Sequence, residues 1–248
     1  MISVITVVKD DAHGLASTFE SLVQQTHSDW EMIVVASLSM DDTLGVANAI
    51  SKTDGRVVVL LQEALGIYEA MNLGVSKVRG SHIWFMNAGD IFASKDVLEH
   101  ALTTIQESGA SLIVGGYKLG QQIGSRRFNY RSQRISRLRF AFNLRMSHQA
   151  MIFSAKDFKE VGYFDLKYRL ASDFDFILRF TKHYEARTTN KIYAGFRPGG
   201  AADQNIFQVH EEKHLSRTAN FKSQLIILVS VIWTIAAQTK IRLRGLFK

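Results

Sequence analysis

The most constraining feature of the sequence is the alternation, in its first half, of short β-branched apolar runs with segments of helical length. Strands and helices that alternate in this way predict βαβ units, and so an α/β fold with a mostly parallel sheet flanked by helices. We predict strands at residues 3–8, 31–35, 56–61, 83–86 and 112–115, and helices at 15–25, 42–52, 67–78 and 94–108, the last with Ser94 as N-cap.

The second half is less regular, and it predicts a strand at residues 147–153, a helix at 172–183 and a strand at 191–196. The chain has 248 residues, of which 46% are apolar, and it shows neither a repeat nor a low-complexity linker. We therefore expect residues 1–220 to form one domain, in which a nucleotide-binding type of first half is completed by the second.

The C-terminal segment, residues 221–248, differs from the rest. Residues 225–237 contain only two polar side chains, and the uncharged stretch spans 223–239, short of the roughly 20 residues that a membrane-spanning helix needs. Basic residues without an acid follow it: Lys240, Arg242, Arg244 and Lys248. Two interpretations stand equal here, a terminal helix docked on the domain and a helix lying on an anionic membrane surface.

The charge of the chain is concentrated in one region. Seven arginines and no acid lie in residues 126–145, so the other 23 basic residues (30 less seven) balance the 23 acidic ones. We favour contact of this run with anionic lipid or an acceptor diphosphate. A solvated helix face is the alternative, and nucleic acid ranks low because no recognition motif accompanies the run. The arginines are Arg126, Arg127, Arg131, Arg134, Arg137, Arg139 and Arg145.

The chain has no cysteine, which excludes disulfides and thiolate metal sites and fits a cytoplasmic location. Its first residues, MISVITVVKDD, have no basic region before the apolar run and no small-residue cleavage site. They are typical of a first strand rather than of a signal peptide.

A small-residue turn, Asn87–Asp90, follows the predicted strand at 83–86. Ligands of parallel sheets bind beyond the carboxyl ends of the strands, so this carboxylate is placed to meet one. Together with an incoming diphosphate it could hold Mg²⁺ or Mn²⁺. Because Asn, Gly and Asp are common turn residues, an ordinary turn is the favoured interpretation on spacing alone.

Two carboxylates, Asp173 and Asp175, stand at the start of the predicted helix at 172–183. Ser172 or Asp173 can cap that helix, which is the likelier role of either side chain taken alone. A carboxylate at a helix start also stays ionised and can act as a base toward a hydroxyl.

Six segments in order resemble the family 2 glycosyltransferases, inverting enzymes with the Rossmann-like GT-A fold. They are ISVITVVKDD, EMIVVASLSMDDT, GIYEAMNLGVSKVRGSHIWFMNAGDIF, SHQAMIF, YFDLKYRLASDFDFILR and GFRPGG, within about residues 1–200. The likeness is strongest to bacterial members that build colanic acid, O-antigen or other surface polysaccharides. It implies a nucleotide-diphosphate sugar donor, a saccharide or lipid-linked saccharide acceptor, Mg²⁺ or Mn²⁺, and work at the inner face of the cell membrane.

The resemblance also implies roles for individual residues. Asp90 corresponds to the metal and diphosphate position, and Asp173 to the general base that deprotonates the acceptor hydroxyl. His148 and Gln149 correspond to a segment near the acceptor or the diphosphate, although an isolated histidine is more often a satisfied polar residue. The positions implied for donor binding are Thr6, Asp41, Gly66, Tyr68, Asn72 and Asn87.

The sequence departs from the family pattern on the donor side. Alanine stands at 36 and 64, where the family often has aspartate, and Leu65, Glu69, Leu73, Ala201 and Ala202 also differ. These losses motivate an alternative interpretation, a catalytically weak member that serves as an interaction partner in a polysaccharide assembly complex. A nucleotidyltransferase ranks low, because the segment after the first strand offers only Gly14 toward a phosphate-binding loop.

Overall fold

The computed structural model describes residues 1–63, 66–119, 136–142, 147–196 and 199–246. Five of the seven arginines of the basic run lie outside these residues, as do Ala64 and Leu65. The predictions made for them therefore stay predictions. The strands are β1 (Ile2–Val8), β2 (Trp30–Ser37), β3 (Val57–Gln62), β4 (His82–Phe85), β5 (Ile91–Phe92), β6 (Leu112–Leu119), β7 (Met151–Ser154) and β8 (Ala186–Phe196).

The helices flank these strands. They are α1 (Ala12–Val23), α2 (Thr43–Thr53), α3 (Ile67–Ser76), α4 (Val97–Ser108), α5 (Arg137–Phe142), α6 (Ala155–Val161), α7 (Ser172–His183), α8 (Ala201–Gln204), α9 (Ile206–Asn220) and α10 (Gln224–Leu246).

The strands form one sheet in the order β3-β2-β1-β4-β7-β6-β8-β5. The first four run parallel, as the alternation in the sequence predicts. The pairs of β7 with β4 and β6, and of β5 with β8, are antiparallel, whereas β6 and β8 pair in parallel. The prediction of a mostly parallel α/β sheet is confirmed.

Both faces of the sheet are buried. Ile5 and Val7 of β1 belong to one apolar cluster, and Ile2, Val4 and Val8 belong to a second. Because successive side chains of a strand point to opposite faces, the two clusters lie on opposite sides of the sheet. This explains why β1 and β2 appear in the sequence as continuous apolar runs.

Several predicted boundaries need correction. Residues 148–150 form a 3-10 helix rather than the start of a strand, and β7 begins only at Met151. Helix α4 begins at Val97 with Asp96, not Ser94, at its N-cap, because the Ser94 hydroxyl donates to the Asp96 carboxylate instead. Neither Ser172 nor Asp173 is the N-cap residue of α7, which is Ala171.

Helix α9 was not predicted from the sequence. Its buried positions include His210, Glu212, Ser216 and Arg217, so its inward face is largely polar. A sequence search for a helix relies on an apolar stripe, and this helix has none.

Helix α10 packs against α9 along one side. Ile226 contacts the first apolar cluster, the Trp233 ring lies 6.3 Å from that of Phe142, and Ser230 lies 2.9 Å from His214 Nδ1. A docked C-terminal helix is therefore present, while its other side is exposed. The division of the chain at residue 220 stays a prediction.

Candidate active site

The turn after β4 is held in place by helix α1. The Thr18 hydroxyl, buried in α1, lies 2.7 Å from the Asp90 carbonyl oxygen and accepts from the Gly89 amide at 3.0 Å. Asp90 Oδ2 accepts from the Asn87 amide at 3.0 Å, and Gly89 has a φ of 87°, which favours glycine. The turn therefore holds Asn87 and the buried Asp90 in a fixed arrangement at the carboxyl end of β4.

A first cavity of about 460 Å³ opens beyond the carboxyl ends of β1 and β2, and we call it the donor-side cavity. Gly66, at the start of α3, forms part of its wall with a φ of 147° and a ψ of 159°, a conformation that only glycine adopts without strain. The lining residues are Val7, Val8, Lys9, Val35, Ser37, Gly66, Ile67, Ala70, Asn87 and Arg169.

A second cavity of about 410 Å³ adjoins the first, and we call it the acceptor-side cavity. Gly66, Ile67 and Arg169 line both cavities. Tyr68 lines only the second, and its hydroxyl donates to Asp173, which itself is not among the lining residues of either cavity. The other lining residues are Glu69, Leu166, Tyr168, Leu170, Ala201, Asn205 and Gln208.

Asp173 is the centre of a hydrogen-bonded cluster. Its Oδ1 accepts from the Tyr68 hydroxyl at 2.9 Å and from the Phe174 amide at 2.8 Å, and its Oδ2 lies 2.9 Å from His148 Nδ1. The 3-10 turn at 148–150 delivers His148, and the first turn of α3 delivers Tyr68. Three segments far apart in sequence thus orient one carboxylate.

The charge state of the cluster follows from its surroundings. Burial raises the pKa of the Asp173 carboxyl, but the hydrogen bond and charge of His148, the charge of Lys213 and the hydrogen bond of Tyr68 outweigh it and lower the pKa to about 2. Burial and the adjacent carboxylate raise the pKa of Tyr68 well above its usual value. Asp173 is therefore ionised at neutral pH, and the phenol keeps the proton that it donates.

One oxygen of Asp173 keeps room for a further proton donor. A carboxylate oxygen accepts about two hydrogen bonds. Oδ1 has both, whereas Oδ2 has only the contact with His148 within the described part of the chain. The side chain of Asp173 is 24% exposed. Oδ2 is therefore able to accept a further hydrogen bond.

Two of the residues that the family resemblance assigns to donor binding make contacts within the protein. Asp41 Oδ1 accepts from the amide and hydroxyl of Thr43, and Oδ2 from the Ala12 amide, which ties together the loops after β1 and β2. The side chain of Asn72 bonds to both backbone groups of Phe164 at 2.9 and 3.0 Å. Their roles toward a nucleotide remain predictions.

Of the other residues that the resemblance implies, some line the donor-side cavity and others make contacts within the protein. Gly66 and Asn87 line the donor-side cavity, and Thr6 is buried in β1 with a hydroxyl that has no hydrogen-bond partner in the described chain. The backbone carbonyl of Gln149 accepts from Trp84 Nε1 at 2.8 Å, and its side chain bonds to the Ser147 hydroxyl. Gln149 thereby anchors the turn that carries His148.

The turn at Asn87–Asp90 fits an oxygen-preferring cation in its chemistry. It offers the Asp90 carboxylate and the Asn87 amide oxygen, the latter buried without a hydrogen-bond partner in the described residues. No group of three or more His, Cys, Asp or Glu side chains suited to a metal occurs in that part of the chain. A cation here would take most of its ligands from a diphosphate and water.

Three residues of the candidate site were not identified from the sequence. Lys213 of α9 lowers the pKa of Asp173 through its charge. Glu212 of the same helix accepts from the amides of Leu170 and Ala171 at 2.8 and 2.9 Å, which fixes the chain just before Asp173. Arg169 lines both cavities. Nothing in the sequence pattern relates α9 to Asp173, so only the tertiary structure could reveal the first two.

The mostly parallel sheet, the oriented Asp173 carboxylate and the two adjoining cavities agree with an enzyme that transfers a group from a nucleotide-bound donor. Residues 3–162 match the family described as Glycosyl transferase family 2. This range covers more than half of the chain, and the protein belongs to that family. It is a glycosyltransferase.

Individual proteins agree with this assignment. A PGL/p-HBAD biosynthesis glycosyltransferase of Mycobacterium tuberculosis is 27% identical over 239 residues, which cover 94% of this chain and 91% of the relative. The structure of S. aureus TarS 1–349 in complex with UDP-GlcNAc matches 93% of this chain and 71% of its own, with a TM-score of 0.75 and 17% identity.

A more distant structure shares the same fold. The mannosyltransferase PcManGT from Pyrobaculum calidifontis, in complex with GDP-Man and Mn²⁺, matches 94% of this chain and 69% of its own. The TM-score is 0.70 and the identity 13%. At such identities the two solved structures establish the GT-A fold and no more, and the resemblance in the sequence is confirmed at the level of family and fold.

Proposed function

We propose that the protein is an inverting, metal-dependent glycosyltransferase that moves a sugar from a nucleotide-diphosphate donor to a hydroxyl of a saccharide, lipid-linked in the cell, during synthesis of a bacterial surface polysaccharide. The observation that carries the proposal is the Asp173 carboxylate, which is ionised, is oriented by His148 and Tyr68, and is linked through Tyr68 to the acceptor-side cavity.

The chemistry assigned to these residues is a single displacement. Asp173 Oδ2 takes the proton of the acceptor hydroxyl, whose oxygen bonds to the anomeric carbon from the face opposite the nucleotide. The bond between that carbon and the diphosphate oxygen breaks, and its electron pair stays on the diphosphate. One displacement inverts the anomeric configuration.

Asp90 and the amide oxygen of Asn87 are the groups that would hold Mg²⁺ or Mn²⁺ against the diphosphate. The cation would supply charge stabilisation for the leaving diphosphate. The resemblance of NAGD to the family's metal motif supports this assignment, and the complex of the mannosyltransferase with GDP-Man and Mn²⁺ supports the use of a divalent cation.

If the donor-side cavity binds the donor, the protein should bind one nucleotide in preference to others. Among UDP, GDP, dTDP and CMP, we expect one nucleoside diphosphate to raise the unfolding temperature of the protein, and to do so more strongly with Mn²⁺, because a ligand that binds only the folded state stabilises it. UDP is the first candidate, since UDP-GlcNAc occupies the TarS structure. If no nucleotide shifts the transition, the interpretation as a catalytically weak interaction partner replaces this proposal.

The location that we propose is the cytoplasmic face of the cell membrane, with α10 as the contact. No helix in the described residues is long and apolar enough to cross a bilayer. On the exposed side of α10, however, Leu225, Leu228, Ile232 and Ile235 follow each other at intervals of three or four residues and are each more than half exposed. Lys240, Arg242 and Arg244 follow in the sequence without an acid. An apolar stripe with a cationic end suits the surface of an anionic bilayer.

Vesicle binding tests this contact. Replacing Leu228 and Ile232 together by glutamate is expected to lower partition onto phosphatidylglycerol vesicles by at least about tenfold, because two large side chains lose their burial in lipid. The matched control places glutamate at Val23 and Leu61, which are exposed apolar residues outside α10. Equal partition of the α10 variant and the control, or self-association of the wild type in place of vesicle binding, would contradict the contact.

A further inference from the structure

Arg169 occupies the boundary between the two cavities. It lines the donor-side cavity together with Lys9 and Asn87, and it lines the acceptor-side cavity together with Tyr68. Its side chain is exposed and makes no hydrogen bond or ion pair with the described residues. An arginine that faces two adjoining cavities and has no partner among the described residues is available to an anionic ligand.

The segment that carries Arg169 is held rigidly. The backbone amides on its C-terminal side, those of Leu170 and Ala171, donate to Glu212 at 2.8 and 2.9 Å. On its N-terminal side Tyr168 is buried, and its amide donates to the Asp165 carbonyl at 3.1 Å. Because the backbone on both sides of Arg169 is hydrogen-bonded, its exposed side chain extends from an ordered segment.

The position of Arg169 relative to Asp173 suggests which part of the donor it meets. Asp173 lies four residues further along the chain, and Tyr68 connects it with the acceptor-side cavity. The anomeric carbon must lie between the acceptor hydroxyl on that side and the nucleotide on the other. The boundary between the cavities is therefore where the bond from the sugar to the diphosphate would lie.

We propose that Arg169 binds the sugar-proximal phosphate of the donor and stabilises the negative charge that this phosphate gains as the bond to the anomeric carbon breaks. This inference rests on the proposed function and extends it. The guanidinium forms paired hydrogen bonds with phosphate oxygens, and its charge opposes the electron pair that the leaving oxygen keeps. The proton of the acceptor goes to Asp173 and not to the diphosphate.

The test compares Arg169→Met with Arg169→Lys and with the control Lys167→Met. Lys167 lies on the same segment, carries the same charge and pairs with Asp165 outside the cavity linings. Calorimetric titrations use the nucleoside diphosphate that binds the wild type best, and the corresponding monophosphate, with and without Mn²⁺.

We expect Arg169→Met to weaken binding of the diphosphate by about ten- to a hundredfold and that of the monophosphate by less than threefold. Arg169→Lys should recover part of the loss, kcat should fall in Arg169→Met, and KM for the acceptor should stay the same. The control should behave as the wild type.

Two results would overturn the assignment of Arg169 alone: normal diphosphate binding and kcat in Arg169→Met, or a rise confined to the KM of the acceptor. A wild type that binds no nucleoside diphosphate would overturn the proposed function and this inference with it. The unfolding temperature of each variant shows whether folding contributes, and an exposed side chain gives no reason to expect that it does.

Discussion

Replacement of Asp173 by asparagine is expected to lower kcat by about 10²- to 10⁴-fold, the range that a positioned general base contributes. Asparagine has the same shape and keeps one acceptor oxygen for the Tyr68 hydroxyl and the Phe174 amide, so the fold should be retained. It cannot take the proton of the acceptor hydroxyl. The measurement is a single-turnover transfer assay, together with nucleotide binding, which should be unchanged.

Glu211→Gln provides the control for this variant. Glu211 is exposed on α9, and its side chain makes no ion pair or hydrogen bond with the described residues. The pKa of about 2 adds a second expectation. Because the carboxylate is ionised from about pH 4 upward, the ratio of wild-type to variant kcat should stay constant between pH 5.5 and 8. Transfer at the wild-type rate in Asp173→Asn would refute the assignment of the base.

Replacement of Asp90 by asparagine is expected to remove the part of donor binding that depends on Mn²⁺ and to lower kcat/KM for the donor by about 10²- to 10³-fold. The variant keeps an oxygen for the Asn87 amide, so the turn that Thr18 holds should persist. What is lost is the charge opposite the cation. Titration of the nucleotide with and without Mn²⁺ measures the effect directly.

Asp42→Asn is the matched control, because Asp42 is an exposed aspartate at the start of α2 whose side chain makes no capping hydrogen bond. It should bind nucleotide and Mn²⁺ as the wild type does. If Asp90→Asn retained the full effect of Mn²⁺, the metal would have to be held by other groups, and the assignment of this turn would be withdrawn.

The parallel half of the fold could be predicted because its strands are buried on both faces. Largely apolar, β-branched runs such as Ser3–Val8 and Glu31–Val35 favour a strand, and the observed strands β1 and β2 extend the predicted ones by only one to three residues. The start of β7 could not be located in this way. Residues 147–150 lead directly into the apolar run 151–153 without a turn signal, and a tertiary hydrogen bond from Trp84 to the Gln149 carbonyl ties them down as a 3-10 turn.

Only those parts of the candidate site that lie in a recognisable local motif could be predicted from the sequence. NAGD follows an apolar run, and the position of Asp173 is marked by a family motif. Asp173 interacts with three residues that each lie more than 20 positions away in the chain: Tyr68, His148 and Lys213. The sequence alone does not show that these residues meet. Helix α9, which supplies Lys213 and Glu212, buries polar side chains to reach the site and so lacks the apolar periodicity by which helices are found.

The measurement that tests the central claim most directly is the anomeric configuration of the product. The protein is incubated with Mn²⁺ and the α-linked nucleotide sugar whose nucleoside diphosphate it binds, together with a panel of saccharide acceptors, and the new linkage is examined by NMR. Our account predicts a β linkage formed by the wild type and lost in Asp173→Asn. An α linkage, or a β linkage formed equally well without the Asp173 carboxylate, would contradict it.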